Sequence, residues 1–370
     1  VKITHFVENL NRGGLERVVI NLAVEQKRAG HDCQVVCLFD KGTLADELDA
    51  HGIEVHSCGK QTGADLRCLL RLRGFLRRHG TEILHTHNMI PHYHAVLAGL
   101  GLPIRRILNT RHGMGALRAS SRREWFYRRC MPWTDVVVTV CDRARQDIVA
   151  RRMLPPDKLV VVPNGIHIER FAPATQQARR ALTDQLELPP GTRLIGSVGR
   201  LNWAKDLVTL LRAYAKVAAR FDDSVLLLIG DGGERQKLMD AAGEIGVAER
   251  VRFLGDRGDV AQLLQGLDLY AMSSISEGYS IALLEACASG LPIVTTDVGG
   301  NAEIVRDHVN GCIVPARDPD AMAAAMIELL ADPARAQAMG RDGRDWVVEQ
   351  GTVSRMAGRY DALYAGKRPD

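Results

Sequence analysis

No apolar run in the 370 residues approaches the ~20 needed to cross a bilayer, so no membrane-spanning helix is expected within them. The eight cysteines, at 33, 37, 58, 68, 130, 141, 287 and 312, include no C-x-x-C pair. Cys33 and Cys37 share one expected strand and lie too close along it to bridge easily. A reducing cytoplasm is therefore expected rather than a disulfide framework. Aromatic residues make up only 5% of the chain, and they form no stacking platform of the kind that single-stranded nucleic acid needs. The loop after the first expected strand carries adjacent glycines but no G-x-G-x-x-G, which removes the indication of a nicotinamide site. No signal peptide is visible from Val1 onward, which leaves open that residues preceded it.

What is present is a globular composition, 46% hydrophobic and 25% charged, in a chain long enough for two ordinary domains. Net charge is only +4, yet it is unevenly spread: residues 1–172 hold 26 Lys+Arg against 17 Asp+Glu, and the remainder 22 against 27. The change of sign coincides with Pro163-Asn164-Gly165 and Phe171-Ala172-Pro173, where turn residues replace a strand. The expected division is 1–172, then 173–351, then a helix within 352–370. Short β-branched runs alternate with longer amphipathic stretches on both sides of the break. The expected strands are Lys2–Val7, Asp32–Phe39, Glu54–Ser57, Ile83–His87, Arg106–Thr110, Asp135–Val140 and Lys158–Val162. In the second half they are Arg193–Val198, Ser224–Ile229, Arg250–Leu254, Leu269–Met272, Pro292–Thr295 and Gly311–Val314. The pattern implies an α/β fold class, two Rossmann-like domains with parallel sheets covered on both faces. Ligands in such folds sit at the carboxyl ends of strands, so two facing domains would line a cleft with their motifs.

The stretch from Ser273 to Gly300, SSISEGYSIALLEACASGLPIVTTDVGG, carries the densest information. A turn at Ser276-Glu277-Gly278 precedes an apolar helix, Ile281 to Ala288, stopped by Gly290-Leu291-Pro292. The first-turn amides of that helix lack intrahelical partners and sit at the positive end of its dipole, which makes an anion site of Gly278, Tyr279, Ser280 and Ile281. Glu285, two turns deeper, can accept ribose hydroxyls. A solvated helical glutamate is the competing reading, but Ala282, Leu283, Leu284, Ala286, Cys287 and Ala288 surround it with apolar side chains, where a carboxylate needs a partner.

Four other stretches hold candidates. Gly13 and Gly14, in NRGGLER, let backbone approach a ligand at a helix N-terminus, or form an ordinary turn. His85-Thr86-His87-Asn88, with His92 and His94, invites a metal hypothesis because His85 and His87 fall on one strand face. No Cys or carboxylate cluster completes a ligand set, so polar lining or local hydrogen bonding is favoured and no metal is expected. His112 follows the fifth strand in TRHG. Arg200 and Lys205, in GRLNWAK, stand five apart on a strand-to-helix loop, suited to clamp a diphosphate and to neutralise charge on a leaving group.

Glu277 and Glu285, eight residues apart, resemble the E-x7-E signature of the retaining glycosyltransferase family 4, whose members adopt the GT-B fold. GLPIVTTDVGGNAEIV, with Glu303, is similar to the strand and loop that follow this helix in the family. The GG-x-E-R-V loop and GR-x4-K also resemble family motifs, although Trp203-Ala204 stands where Pro-Glu is common before the lysine. The resemblance covers nearly the whole chain. It implies a retaining hexosyltransferase that moves sugar from a nucleoside diphosphate sugar, UDP first and GDP-mannose next, to a glycan or lipid-linked acceptor. It further implies donor phosphate or sugar contacts at Gly13 and Gly14, a catalytic His112 at the donor sugar, and Glu277 at the sugar hydroxyls across the cleft. Arg200 and Lys205 would serve both catalysis and diphosphate binding, and Arg252, Phe253 and Leu254 would face the base. Retention without an evident nucleophile implies same-face attack, with cations in place of a metal and no cofactor beyond the co-substrate. The C-terminal helix would cross back to the first domain. A nucleotide-sugar 2-epimerase and a non-catalytic sugar-nucleotide binding subunit remain as rivals on the same fold.

The basic first domain adds one expectation. Arg67, Arg71, Arg73, Arg77 and Arg78 are interleaved with leucines and Phe75, and Arg118, Arg122, Arg123, Arg128 and Arg129 flank Trp125, Phe126 and Tyr127. Either a solvated arginine-rich exterior or an anionic membrane surface fits, the second implying a cytoplasmic enzyme peripheral on the inner face of the membrane.

Overall fold

The computed structural model describes residues 1–63, 65–114 and 122–369. Two compact units result: Val1–Gly165 together with Val353–Asp370, and Ile166–Thr352. The division falls ahead of the expected 172 because the intervening segment is tied to the second unit. Ile166 N–H donates to Gly351 O at 2.9 Å and the Phe171 carbonyl accepts from Arg344 Nη1 at 3.0 Å. No helix among the described residues is long and apolar enough to cross a membrane, and all eight cysteines are free and buried.

The first unit is built on β1 (Lys2–Val7), β2 (Asp32–Cys37), β3 (Glu54–Ser57), β4 (Ile83–His87), β5 (Arg106–Arg111), β6 (Val136–Thr139) and β7 (Leu159–Val161). All pair in parallel, in the order β3-β2-β1-β4-β5-β6-β7. Alternation sends neighbouring side chains to opposite faces. Val7 joins Val35, Val19 and Ala23 on one side, while Phe6 joins Val36, Leu72 and Leu84 on the other. Fully burying each such side chain contributes about 1.5–3 kcal/mol, and a sheet covered on both faces reads as nearly continuous apolar runs. The helix Val353–Tyr364 belongs to this unit and packs against the helix Gly14–Arg28, burying Met356, Tyr360, Leu363 and Tyr364.

The second unit uses β8 (Arg193–Val198), β9 (Ser224–Ile229), β10 (Val251–Gly255), β11 (Leu269–Met272), β12 (Ile293–Thr296) and β13 (Cys312–Val314). These too are parallel, ordered β10-β9-β8-β11-β12-β13. Ile195, Leu226, Leu228 and Val294 form one core with Leu210, Leu211 and Tyr214 of the helix Leu207–Arg220 and Met322 and Met326 of the helix Pro319–Ala331.

In each unit the strand order reverses once, between β1 and β4 and between β8 and β11. Loops leaving the two strands at such a reversal run off in opposite directions and open a crevice at their carboxyl ends. Those two places are where chemistry belongs.

Candidate functional site

In the second unit, the loops after β8 and β11 are laced together at this reversal. Ile275 N–H donates to Ala204 O at 2.8 Å, and Ser273 Oγ donates to Lys205 O at 2.8 Å. Asn202 shapes the first loop by accepting from Ala204 N–H at 3.1 Å, which takes over the turn where the sequence departs from Pro-Glu. The lacing brings Lys205 Nζ to 2.6 Å from Glu277 Oε1, and the same oxygen accepts from Ser274 Oγ at 2.6 Å. The two side chains are 19% and 12% exposed, so this is a mostly desolvated, charge-assisted contact. A cavity of ≈ 10 Å³, about the space one water needs, lies beside Lys205 and is walled by Ser197, Gly199, Met272, Ser273 and Ser274.

Glu277 leads directly into the helix Ile281–Ala288. Ser280 caps it by accepting from Leu283 N–H, which leaves the amides of Ile281 and Ala282 without an intrahelical acceptor. Gly278 is buried, and its carbonyl accepts from Gly300 N–H at 2.7 Å. Gly299 makes that closure possible: at φ +53° it lies where a Cβ would sit 2.0 Å from Glu277 O. Tyr279, just ahead of the helix, is buried, and Glu285 within it is half-buried. Glu303 is half-buried in the short helix Asn301–Ile304. Arg200 is exposed on the β8 loop. On β10, the Arg252 guanidinium turns back on its own chain, donating to Glu249 O at 2.6 Å, while Phe253 O accepts from Arg235 Nη2 at 3.3 Å. Leu254 falls at a shift in the β9–β10 register, out of step with the ladder.

The reversal in the first unit gathers histidines. The predicted shared face of His85 and His87 holds, with ring centroids 4.4 Å apart. Strand register adds His5, level with His85 across β1 and β4. A lone histidine in the first strand gave no signal; only the strand order brings it in. His5, His85 and His87 lie close enough together to share a metal ion. Every ring nitrogen of the three already has a hydrogen-bond partner, so a cation there would have to replace those pairings. His5 Nε2 meets Gln26 Oε1 at 2.8 Å and its Nδ1 meets His87 Nε2 at 3.2 Å. His87 Nδ1 meets His112 Nε2 at 2.9 Å. His85 bridges Tyr364 Oη at 2.7 Å and Thr110 Oγ1 at 2.8 Å. Burial holds all four rings neutral: His5 is pushed down to about 4 and His112 to about 3, and His85 and His87 lie well below the ordinary value. His92 and His94 stand apart, the first between Thr86 and Thr134, the second on Ile90 O.

His112 itself is placed by its N–H, which donates to Asn88 Oδ1 at 3.2 Å, Asn88 being held at φ 64°. Its Nδ1 is buried and has no partner among the described residues. Arg111 beside it is buried, with its guanidinium 5.4 Å from the Tyr127 ring centroid. Gly13 caps the helix Gly14–Arg28 with ordinary extended backbone, and a Cβ on Gly14 would meet no protein atom within 4 Å.

Two parallel α/β units, each with polar groups at its strand-order reversal, constitute the GT-B architecture of glycosyltransferases. The structure of the Anabaena protein HepE in complex with UDP and glucose shares it, with a TM-score of 0.88 over 99% of both chains at 19% identity. Two family models match in tandem, Glycosyltransferase Family 4 over residues 12–170 and Glycosyl transferases group 1 over residues 178–346. The chain belongs to glycosyltransferase family 4. Among relatives, it is 30% identical over 279 residues to a D-inositol 3-phosphate glycosyltransferase of Corynebacterium urealyticum, spanning 70% of this chain and 66% of that one. It is 23% identical to the UDP-Gal:alpha-D-GlcNAc-diphosphoundecaprenol alpha-1,3-galactosyltransferase of Escherichia coli, over 98% of this chain and 96% of the relative.

Proposed function

We propose that this protein is a retaining, metal-independent glycosyltransferase that moves a sugar from a nucleoside diphosphate sugar, UDP-linked in preference to GDP-mannose, to a glycan or lipid-linked acceptor. The observation that carries the proposal is the Lys205–Glu277 contact at the mouth of the helix Ile281–Ala288. An ammonium, helix amides without an intrahelical acceptor and a carboxylate meet at one strand-order reversal, which is the equipment to hold a diphosphate next to a hydroxyl-rich group. In this reading Lys205 and Arg200 neutralise the departing diphosphate, the amides from Gly278 to Ile281 bind it, and Glu285 accepts the ribose hydroxyls. Glu277, already accepting from Lys205 and Ser274, orients the sugar hydroxyls. The backbone of Arg252, Phe253 and Leu254 takes the base, and Gly13, Gly14 and His112 contribute from the first unit. The sugar keeps its configuration by same-face attack, the leaving phosphate taking the acceptor's proton.

Thermal stabilisation across a panel of nucleotide sugars tests the donor. The true one at 100 times its Kd adds about 2.7 kcal/mol. Turnover with acceptor must release free nucleoside diphosphate; interconversion of the sugar without release would make the protein an epimerase, and affinity without turnover a binding subunit. Activity that persists in excess chelator supports metal independence, and complete reversible loss refutes it.

The first unit supports an acceptor presented at an anionic membrane. Leu66 and Leu70 are 74% and 69% exposed, and Trp125 and Phe126 54% and 46%. Their helices, Leu66–His79 and Arg122–Arg129, both pack on the helix Met89–Gly99, and exposed arginines surround them. Arg118 lies outside the described residues. Vesicle binding that rises with anionic lipid and falls with salt is the expected result, since exposed charges are screened within about 10 Å at 0.1 M salt. Equal indifference to neutral and anionic vesicles would leave a soluble acceptor.

A further inference from the structure

One hydrogen-bonded chain runs through the core of the first unit and ends at His112. It starts on the C-terminal helix, where Gln26 Nε2 donates to Tyr364 Oη at 3.1 Å. That orientation turns the other end of the amide, Oε1, toward His5 Nε2 at 2.8 Å. An amide oxygen only accepts, so His5 carries its proton on Nε2. A neutral imidazole has one donor and one acceptor, so His5 Nδ1 is an acceptor, and the His87 proton sits on Nε2 to meet it across 3.2 Å. The same step repeats across 2.9 Å: His87 Nδ1 accepts, and His112 is protonated on Nε2. What remains is the Nδ1 lone pair of His112, buried and without a partner among the described residues. Tyr364 Oη, having accepted from Gln26, donates its own O–H to His85 Nδ1 at 2.7 Å, which closes the chain at the other end.

We propose that Gln26 sets the tautomer of His112 through His5 and His87, so that His112 presents a hydrogen-bond acceptor to a hydroxyl of the donor sugar. This rests on the sugar contact assigned to His112 above. In this role His112 receives a hydroxyl proton in a hydrogen bond and neither donates to a sugar oxygen nor acts as a general acid. Gln26, His5 and His87 are positioning residues, more remote from the sugar with each link. Turning the Gln26 amide over would reverse every bond in the chain and make Nδ1 of His112 a donor, so the two orientations make opposite, measurable statements.

Nitrogen NMR of the full chain labelled in histidine reads them directly, with His112 assigned by its loss in His112→Asn. Expected are Nε2-protonated, Nδ1-bare rings for His5, His87 and His112, unchanged from pH 5.5 to 8. A proton on Nδ1 of His112 overturns the inference. Gln26→Met removes the acceptor; a mixed His112 tautomer and a kcat lowered about tenfold or more are expected, with the Kd for UDP unchanged. Gln26→Glu keeps an acceptor for His5 and should keep a single His112 tautomer and the rate, while Tyr364 Oη turns its hydrogen from His85 to the new carboxylate. A folded Gln26→Met protein with the wild-type rate and a single His112 tautomer would remove Gln26 from the role. Should wild type transfer no sugar from any nucleotide sugar, the proposed function fails on its own, while the wild-type spectrum still decides the tautomer.

Discussion

In the proposed role Lys205 would hold a diphosphate with an ammonium that also pairs with Glu277 at 2.6 Å. Lys205→Ala therefore does two things, removing charge at the leaving group and leaving a mostly buried carboxylate without its cation. Turnover should fall by about 2.7–4 kcal/mol of transition-state stabilisation, with a smaller loss in thermal stability. Arg200→Ala, on an exposed loop, should show the kinetic loss without the stability loss. Equal melting temperatures for the two variants would dissolve that distinction. Glu285→Gln should weaken binding of the free nucleoside diphosphate, whereas Glu277→Gln should spare it and damage transfer; identical behaviour in calorimetry and turnover would refute the division. Gly14→Ala separates ligand space from protein space. No protein atom would touch the new methyl, so the fold should be kept, yet donor affinity should drop. These candidates were legible because each sits in a short motif at a strand's end. Gln26, His5 and Ser274 were not, because their significance comes from neighbours on other strands and loops, which one sequence does not align.

At the scale of elements, all thirteen strands lay in the expected places, with differences at their ends: Asp32–Phe39 closes at Cys37, and Pro292–Thr295 runs Ile293–Thr296. The β-branched runs mark the buried ladder, while the end residues are settled by loop hydrogen bonds that no periodicity records, such as Phe39 N–H to Glu8 O at 3.0 Å. The helix Ile281–Ala288 was bounded correctly because its stop is local. Gly290, at φ +66°, turns the chain while Leu291 N–H donates to Ala286 O at 3.2 Å. The loop from Val298 to Asn301 holds Glu277 from behind, and Gly299→Ala tests it. A left-handed alanine costs about 1–2 kcal/mol before contact with Glu277 O is counted. Activity should fall further than Glu277→Gln alone, since the Gly278 backbone moves as well. A variant with wild-type melting temperature and turnover would show that the loop absorbs the methyl.

For the whole molecule, histidine is divided as unequally as charge. Ten of the 12 histidines precede residue 166, leaving only His167 and His308 in the second unit. Burial holds His5, His92 and His112 at about 4, 3 and 3, below the ordinary 6.5 of an unfolded chain. The unfolded state thus binds more protons between those values. The stability these rings contribute is complete above about pH 6.5 and drains away as pH falls toward 4, at up to about 1.4 kcal/mol per pH unit for each ring. Hydrogen exchange at pH 4.5 should show the first unit losing protection before the second; simultaneous loss would refute this. The first unit also depends on the helix Val353–Tyr364, which follows the whole second unit along the chain. Met356 Sδ accepts from Gly165 N–H at 3.3 Å, and Tyr364 holds Gln26 and His85. A chain ended at Thr352 should keep the second unit folded and open the first. During synthesis, then, the seven-stranded unit is completed only after the six-stranded one has been made, and a polypeptide terminated at Thr352 carries a complete second unit beside an unfinished first. With the donor site proposed for the second unit, such a fragment would capture donor and never spend it, so turnover certifies that translation has passed the helix Val353–Tyr364.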